Sequence, residues 1–190
     1  MGLPASNASI ETDLAAELLE FFYPVHYRTE KALEDELRGG LLTRKQVAIL
    51  WLIRSEGVQG RRMRRKDIER FMQAWFEVSG AEITRTLRSM ARPPLGIVKI
   101  VEDPRSGREK QLWLTQKGER LLQDMVERGR QFLQRIIIAQ LSEDVVKSGI
   151  EFLRQGINAF ERVQQENPTI NGREKGLRKQ VRERKAPQEQ

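Results

Sequence analysis

Apolar residues recur at helical spacing from early in the chain. Leu14, Leu18, Phe21, Phe22 and Val25, continued by Leu33 and Leu37 as far as Gly39-Gly40, predict a long amphipathic helix behind a short polar leader, residues 1–11. Pro24 falls inside this pattern. Proline lacks a backbone donor and crowds the preceding turn, so a kink there, or two shorter helices meeting at Tyr23, is expected. Thr43 is placed to cap a second helix in which Val47, Ile49, Leu50 and Trp51 face a core and which stops at Gly57. Residues 57–65 read as a loop, and Ile68, Phe71, Met72 and Trp75 as a short helix after it.

Ser79-Gly80 opens the next helix, whose two faces differ in chemistry. Ile83, Leu87, Met90 and Ala91 fall on one side, and Glu82, Thr84, Arg85, Arg88, Ser89 and Arg92 on the other, until Pro93-Pro94 ends the pattern. The period then changes. Ile97, Val98, Ile100 and Val101 are β-branched, and Gln111–Leu114 make a second strand across a turn at Ser106-Gly107, a β-hairpin. Thr115 caps a helix with apolar positions Leu121, Leu122, Met125, Phe132, Leu133, Ile136 and Ile137, and Ser142 a last one with Val146, Ile150, Leu153, Ile157, Phe160 and Val163.

The predicted fold is therefore mainly α with a small β-hairpin. Two short helices followed by a hairpin are the parts of a winged helix-turn-helix, with long helices on either side. The boundaries read as a leader over 1–11, an N-terminal dimerisation helix over 12–42 and a winged DNA-binding lobe over 43–115. C-terminal dimerisation helices follow over 116–165, and a basic, disordered or marginally helical tail over 166–190. The flanking apolar stripes exceed what one small winged lobe can cover, which calls for a second copy of the chain.

Charge sharpens this picture. The net charge of +7 is unevenly spread: residues 1–40 hold 3 Lys and Arg against 8 Asp and Glu, whereas residues 41–120 hold 18 against 9. A basic excess confined to the winged segment points to a polyanion meeting that segment. The absence of cysteine rules out disulfides and thiolate metal sites. With a single histidine and no phosphate-cradling glycine loop, neither an enzyme nor a bound cofactor or metal is expected. No apolar run approaches the length of a membrane span, and no export signal precedes the first helix, so a cytoplasmic, nucleoid-associated protein is expected.

Three stretches carry a family resemblance over roughly residues 12–163. LTRKQVAILWLI from Leu42, VSGAEITRTLRSM from Val78 and DPRSGREKQLWLTQKG from Asp103 are similar to three segments of the MarR family of bacterial regulators. These are its Leu-Thr-x-x-Gln helix opening, its recognition helix, and its wing followed by Leu-Thr-x-x-Gly. The resemblance implies a bacterial transcription regulator that dimerises through its terminal helices and binds duplex DNA. Counting back from Leu114-Thr115 puts Arg108 at the wing tip and Ser106 where the family's wing commonly carries Asp.

On that reading Arg85 is the first candidate to read bases, because a guanidinium fork pairs with guanine O6 and N7. Ser79, Glu82, Thr84, Arg88, Ser89 and Arg92 are the other recognition-helix candidates. Arg105, Arg108 and Lys110 would approach the minor groove, and Arg61, Arg62, Arg64, Arg65 and Lys66 the phosphates. The resemblance also implies a small aromatic or phenolic effector that releases DNA, for which His26, Tyr27, Trp51, Arg54 and Trp75 are candidate pocket residues. A protein-interaction winged-helix adaptor and a non-specific architectural DNA binder remain as other uses of the same architecture.

Overall fold

Three hydroxyl side chains set the starts of the principal helices. Thr43 Oγ1 accepts from the Gln46 backbone N–H, and Gln46 Oε1 accepts from the Thr43 N–H at 2.9 Å, a reciprocal capping box. Ser79 Oγ accepts from the Glu82 N–H and Thr115 Oγ1 from the Gly118 N–H. The computed structural model describes residues 6–103, 106 and 109–166. The chain divides into two units, residues 1–134 and 135–190.

In the first unit the order is α1 (Ser6–Pro24), a π-helical segment (Val25–Glu30), α2 (Lys31–Arg38), α3 (Arg44–Glu56), β1 (Arg62–Arg64), α4 (Arg65–Trp75), α5 (Gly80–Ala91), β2 (Val98–Glu102), β3 (Lys110–Leu114) and α6 (Gln116–Leu133). The first helix begins at Ser6, inside the stretch expected as leader. Pro24 ends it, and the next turn widens to π geometry from Val25, which accommodates the donor that proline lacks. Gly39, at φ 54°, terminates α2 in the left-handed conformation. The Arg128 guanidinium of α6 donates to the Glu36 and Leu37 carbonyls, both at 3.1 Å, and so satisfies the end of α2 while joining the two helices.

The segment expected to be all loop contains a strand. Arg62–Arg64 pairs antiparallel with β3, making a three-stranded sheet of order β1-β3-β2. Its registers put Met63, Leu112 and Ile100 in one row and Arg62, Trp113 and Lys99 in the next, so one face turns to the core and the other carries charge. The core gathers Ile49, Leu50, Leu52 and Ile53 of α3, Ile68 and Met72 of α4, Ile83, Leu87 and Met90 of α5, and Leu112 of β3. Trp51, expected to face inward, stays 39% exposed because α3 buries the face containing Ile49 and Ile53 instead. At Gly118 an added Cβ would lie 1.9 Å from the Ile97 carbonyl oxygen. Thr115 Oγ1 donates to the Gly96 carbonyl beside it, so Leu-Thr-x-x-Gly is the place where α6 closes onto the start of the hairpin.

The second unit contains one long helix, α7 (Glu143–Glu166), which starts directly after Ser142; a π-helical turn, Gln134–Ile138, falls at the division between units. The tail expected over 166–190 lies outside the described residues, Glu166 excepted. No helix among the described residues is long and apolar enough to cross a membrane.

Candidate nucleic-acid interface

Helix α5 is held from behind by Ile83, Leu87 and Met90, all buried. At 3.6 residues per turn, Arg85, Arg88 and Arg92 then fall within about 60° of one another on the opposite side. All three are exposed, and none makes a side-chain hydrogen bond or ion pair among the described residues. Three uncommitted guanidiniums on one ridge can meet phosphates or base edges without first breaking an internal contact.

The other α5 candidates have partners. Lys45 Nζ of α3 donates to the Glu82 carboxylate, and this hydrogen bond, reinforced by the charges of Lys45 and Arg85, holds Glu82 below the ordinary carboxylate pKa range. Thr84 Oγ1 donates to the Gly80 carbonyl and accepts from Arg65 at 2.8 Å. Ser89 Oγ donates to the Thr86 carbonyl and accepts from Gln46 Nε2 at 3.1 Å. Ser79 is the cap of the helix. These residues fix the orientation of α5 against α3 and α4, and the arginine ridge projects from that frame. Sequence reasoning did not single out Lys45 or Gln46; the only signal for Gln46 was its place in Leu-Thr-x-x-Gln.

The basic segment is equally partitioned. Arg61 pairs with Glu119 at 3.3 Å, Arg65 with Glu69 at 2.8 Å and Arg64 with Asp67 at 2.8 Å, while Arg62 stacks 4.7 Å over the Trp113 ring. The Asp67 hydrogen bond and charge raise the Arg64 pKa further above its ordinary value. Lys66 and Lys110 are exposed and share a cleft of about 360 Å³ with Arg64, Arg65, Glu69 and Glu109. Arg105 and Arg108 lie outside the described residues.

The five effector candidates occupy three different elements. His26 and Tyr27 meet edge to face in the π-helical segment, with His26 also bonded to Glu30; Arg54 lies 4.9 Å over Trp51 in α3; and Trp75 contacts Phe71 in α4. A larger cleft, about 740 Å³, is lined by none of them and lies instead on the charged side of the sheet, between Glu56, Arg62, Arg64, Asp103 and Trp113.

Residues 42–118 match the winged helix DNA-binding domain family. The fold recurs in solved structures. A mutant MarR from E. coli is 18% identical with a TM-score of 0.59, over 74% of this chain and 96% of that one. A transcriptional regulator from Thermotoga maritima is 21% identical at 0.52, over 75% and 96%. A MarR family transcriptional regulator from Streptomyces coelicolor, solved in complex with DNA, is 15% identical at 0.53, over 74% and 90%. No curated protein matches the chain. The chain thus carries a winged helix of the DNA-binding class. Its fold is that of the MarR-family transcriptional regulators in these solved structures.

Proposed function

We propose that this chain is a transcription regulator that reads a pseudo-palindromic duplex as a homodimer, with α5 in the major groove and the connection between β2 and β3 in the adjacent minor groove. The observation that carries the reading is the ridge of Arg85, Arg88 and Arg92, without a side-chain hydrogen bond or ion pair among the described residues, on a helix whose opposite face is locked into the core. The DNA complex of the Streptomyces relative supports the same use of the fold.

Dimerisation is supported by rows of exposed apolar side chains on α1 and α7. Leu14, Leu18, Phe21 and Phe22 in α1, and Ile150, Leu153, Ile157 and Phe160 in α7, are each at least 40% exposed. Two copies would present two α5 helices to successive major grooves, spaced by about 10 bp. Regulation by a small aromatic or phenolic effector and action on nucleoid DNA in the cytoplasm belong to the same reading. The effector's candidate residues His26, Tyr27, Trp51, Arg54 and Trp75 lie on three elements of the first unit.

Arg85→Ala tests the base-reading role. Binding to the preferred duplex should weaken by about 1–3 kcal/mol, with preference relaxed at one position of each half-site. Loss of the same factor on every duplex would assign Arg85 to phosphate contact and favour a non-specific architectural binder.

A further inference from the structure

We propose that Asp103 and Arg64 are positioning residues for the wing: together they fix how the chain leaves β2 at Asp103 and enters β3 from Glu109, and they act on DNA binding without touching DNA themselves. The proposal rests on the DNA-binding reading above and assigns Arg64 a task other than phosphate contact.

Asp103 closes the foot of the wing. Its side chain is 7% exposed, unusual for a carboxylate in so basic a segment, and its Oδ2 accepts from Gln111 Nε2 at 2.7 Å. The same residue ties the connection by backbone, its N–H donating to the Glu109 carbonyl at 2.8 Å and its carbonyl accepting from the Ser106 N–H at 3.1 Å. The Glu109 N–H in turn donates to the Ser106 carbonyl at 2.8 Å. Ser106 and Glu109 are thereby both tied to the residue that carries the buried acid.

Arg64 joins this knot from the other edge of the sheet. The strand register sets Arg64 directly opposite Gln111, the residue that donates to Asp103. Arg64 Nε donates to Asp67 of α4, and Arg64, Asp67, Asp103, Glu109 and Gln111 line one cleft. The charges of Glu109 and Asp103 stabilise the Arg64 cation after Asp67. The Arg64 guanidinium is thus bonded to α4 and held in the field of the wing-foot carboxylates Asp103 and Glu109, so an approaching DNA phosphate would meet three carboxylates around it. Ser106, at the position expected for the wing acid, takes part through its backbone, and the buried acid stands three residues earlier.

Sign separates this role from plain electrostatics. Removing a negative charge from a DNA-binding face should tighten binding, whereas removing a positioning acid should weaken it. The test is fluorescence anisotropy of the full chain on its selected duplex, with amide hydrogen exchange on the free protein. Asp103→Asn, which keeps the volume and an acceptor, should bind roughly tenfold more weakly, the loss expected for one hydrogen bond to a charged group. Arg64→Gln should weaken binding by a similar factor, and the double variant should bind no worse than the weaker single variant, since both act through one element. In the free variants the Asp103 and Glu109 amides should exchange faster while those of α5 keep their protection. Binding by Asp103→Asn as tight as wild type or tighter, additive losses in the double variant, or loss of protection throughout α5 would each overturn the proposal. Failure of the wild-type chain to bind any duplex would overturn the DNA-binding reading, while the exchange result would still judge the wing-foot knot.

Discussion

Replacing Gln46 with alanine should loosen the recognition helix from behind. The Gln46 side chain is 6% exposed, accepts from the Thr43 N–H at 2.9 Å and donates to Ser89 Oγ at 3.1 Å, so one amide both caps α3 and ties it to α5. Its removal forfeits two hydrogen bonds worth about 1 kcal/mol each. It also removes one buried methylene, worth about 0.8 kcal/mol. Thr43 and Ser89 both face water, so their freed groups rehydrate and escape the full desolvation penalty; alanine's helix propensity returns a few tenths. The expected loss is about 2–3 kcal/mol, which at a urea slope of roughly 2 kcal/mol per molar lowers the unfolding midpoint by about 1 M. Both proteins must be compared at one concentration, because self-association contributes to apparent stability. Gln46→Glu keeps the acceptor toward Thr43 but not the donor toward Ser89, and should recover part of the loss. A midpoint change equivalent to less than about 0.5 kcal/mol for Gln46→Ala would refute the reasoning, since that is the range of surface substitutions touching nothing.

Two other consequences are open to measurement. In α6 the hydrogen bonds from Arg130 and then Gln131 depress the Glu127 pKa to about 2. A depressed folded pKa contributes stability that is fully present above the unfolded value of 4.5 and disappears as pH falls toward about 2. The stability difference between wild type and Glu127→Gln should therefore shrink over that window in urea melts run pH by pH, and a difference independent of pH would contradict it. For the dimer, Ile157→Glu sets a charge into the exposed apolar face of α7 and should convert a species of twice the 22.1 kDa chain mass into one of that mass in sedimentation equilibrium. A wild-type chain that already sediments as a monomer would remove the premise.

The sequence was most legible where one period governed a whole element. In α5 the 3.6-residue repeat alone separated Ile83, Leu87 and Met90 from Arg85, Arg88 and Arg92, and the caps Thr43, Ser79 and Thr115 stand where their residue types place them. It was less legible where several faces fit one pattern. In α3 apolar residues occupy 47 and 49–53 almost without a break, so periodicity could not decide between Trp51 and Ile53 as the inward side chain. Strand β1 is three residues long with a single apolar position, Met63, and takes its order from pairing with β3, a tertiary event with no local signal. The polar frame around α5 escaped for the same reason. Lys45 meets Glu82, and Gln46 meets Ser89, across separations of 37 and 43 residues, and no local rule links such positions. The arginines of 61–65 looked alike as a charge run, and only the fold distinguishes Arg64 beside Asp67 from Arg62 over Trp113.

The central claim is that the free arginine ridge of α5, doubled by a second copy, reads a specific duplex. Selection of bound duplexes from a random pool by the full-length chain tests it most directly. The account predicts enrichment of an inverted repeat with half-sites about 10 bp apart, one α5 to each; a pool that binds yet yields no enriched repeat would contradict it.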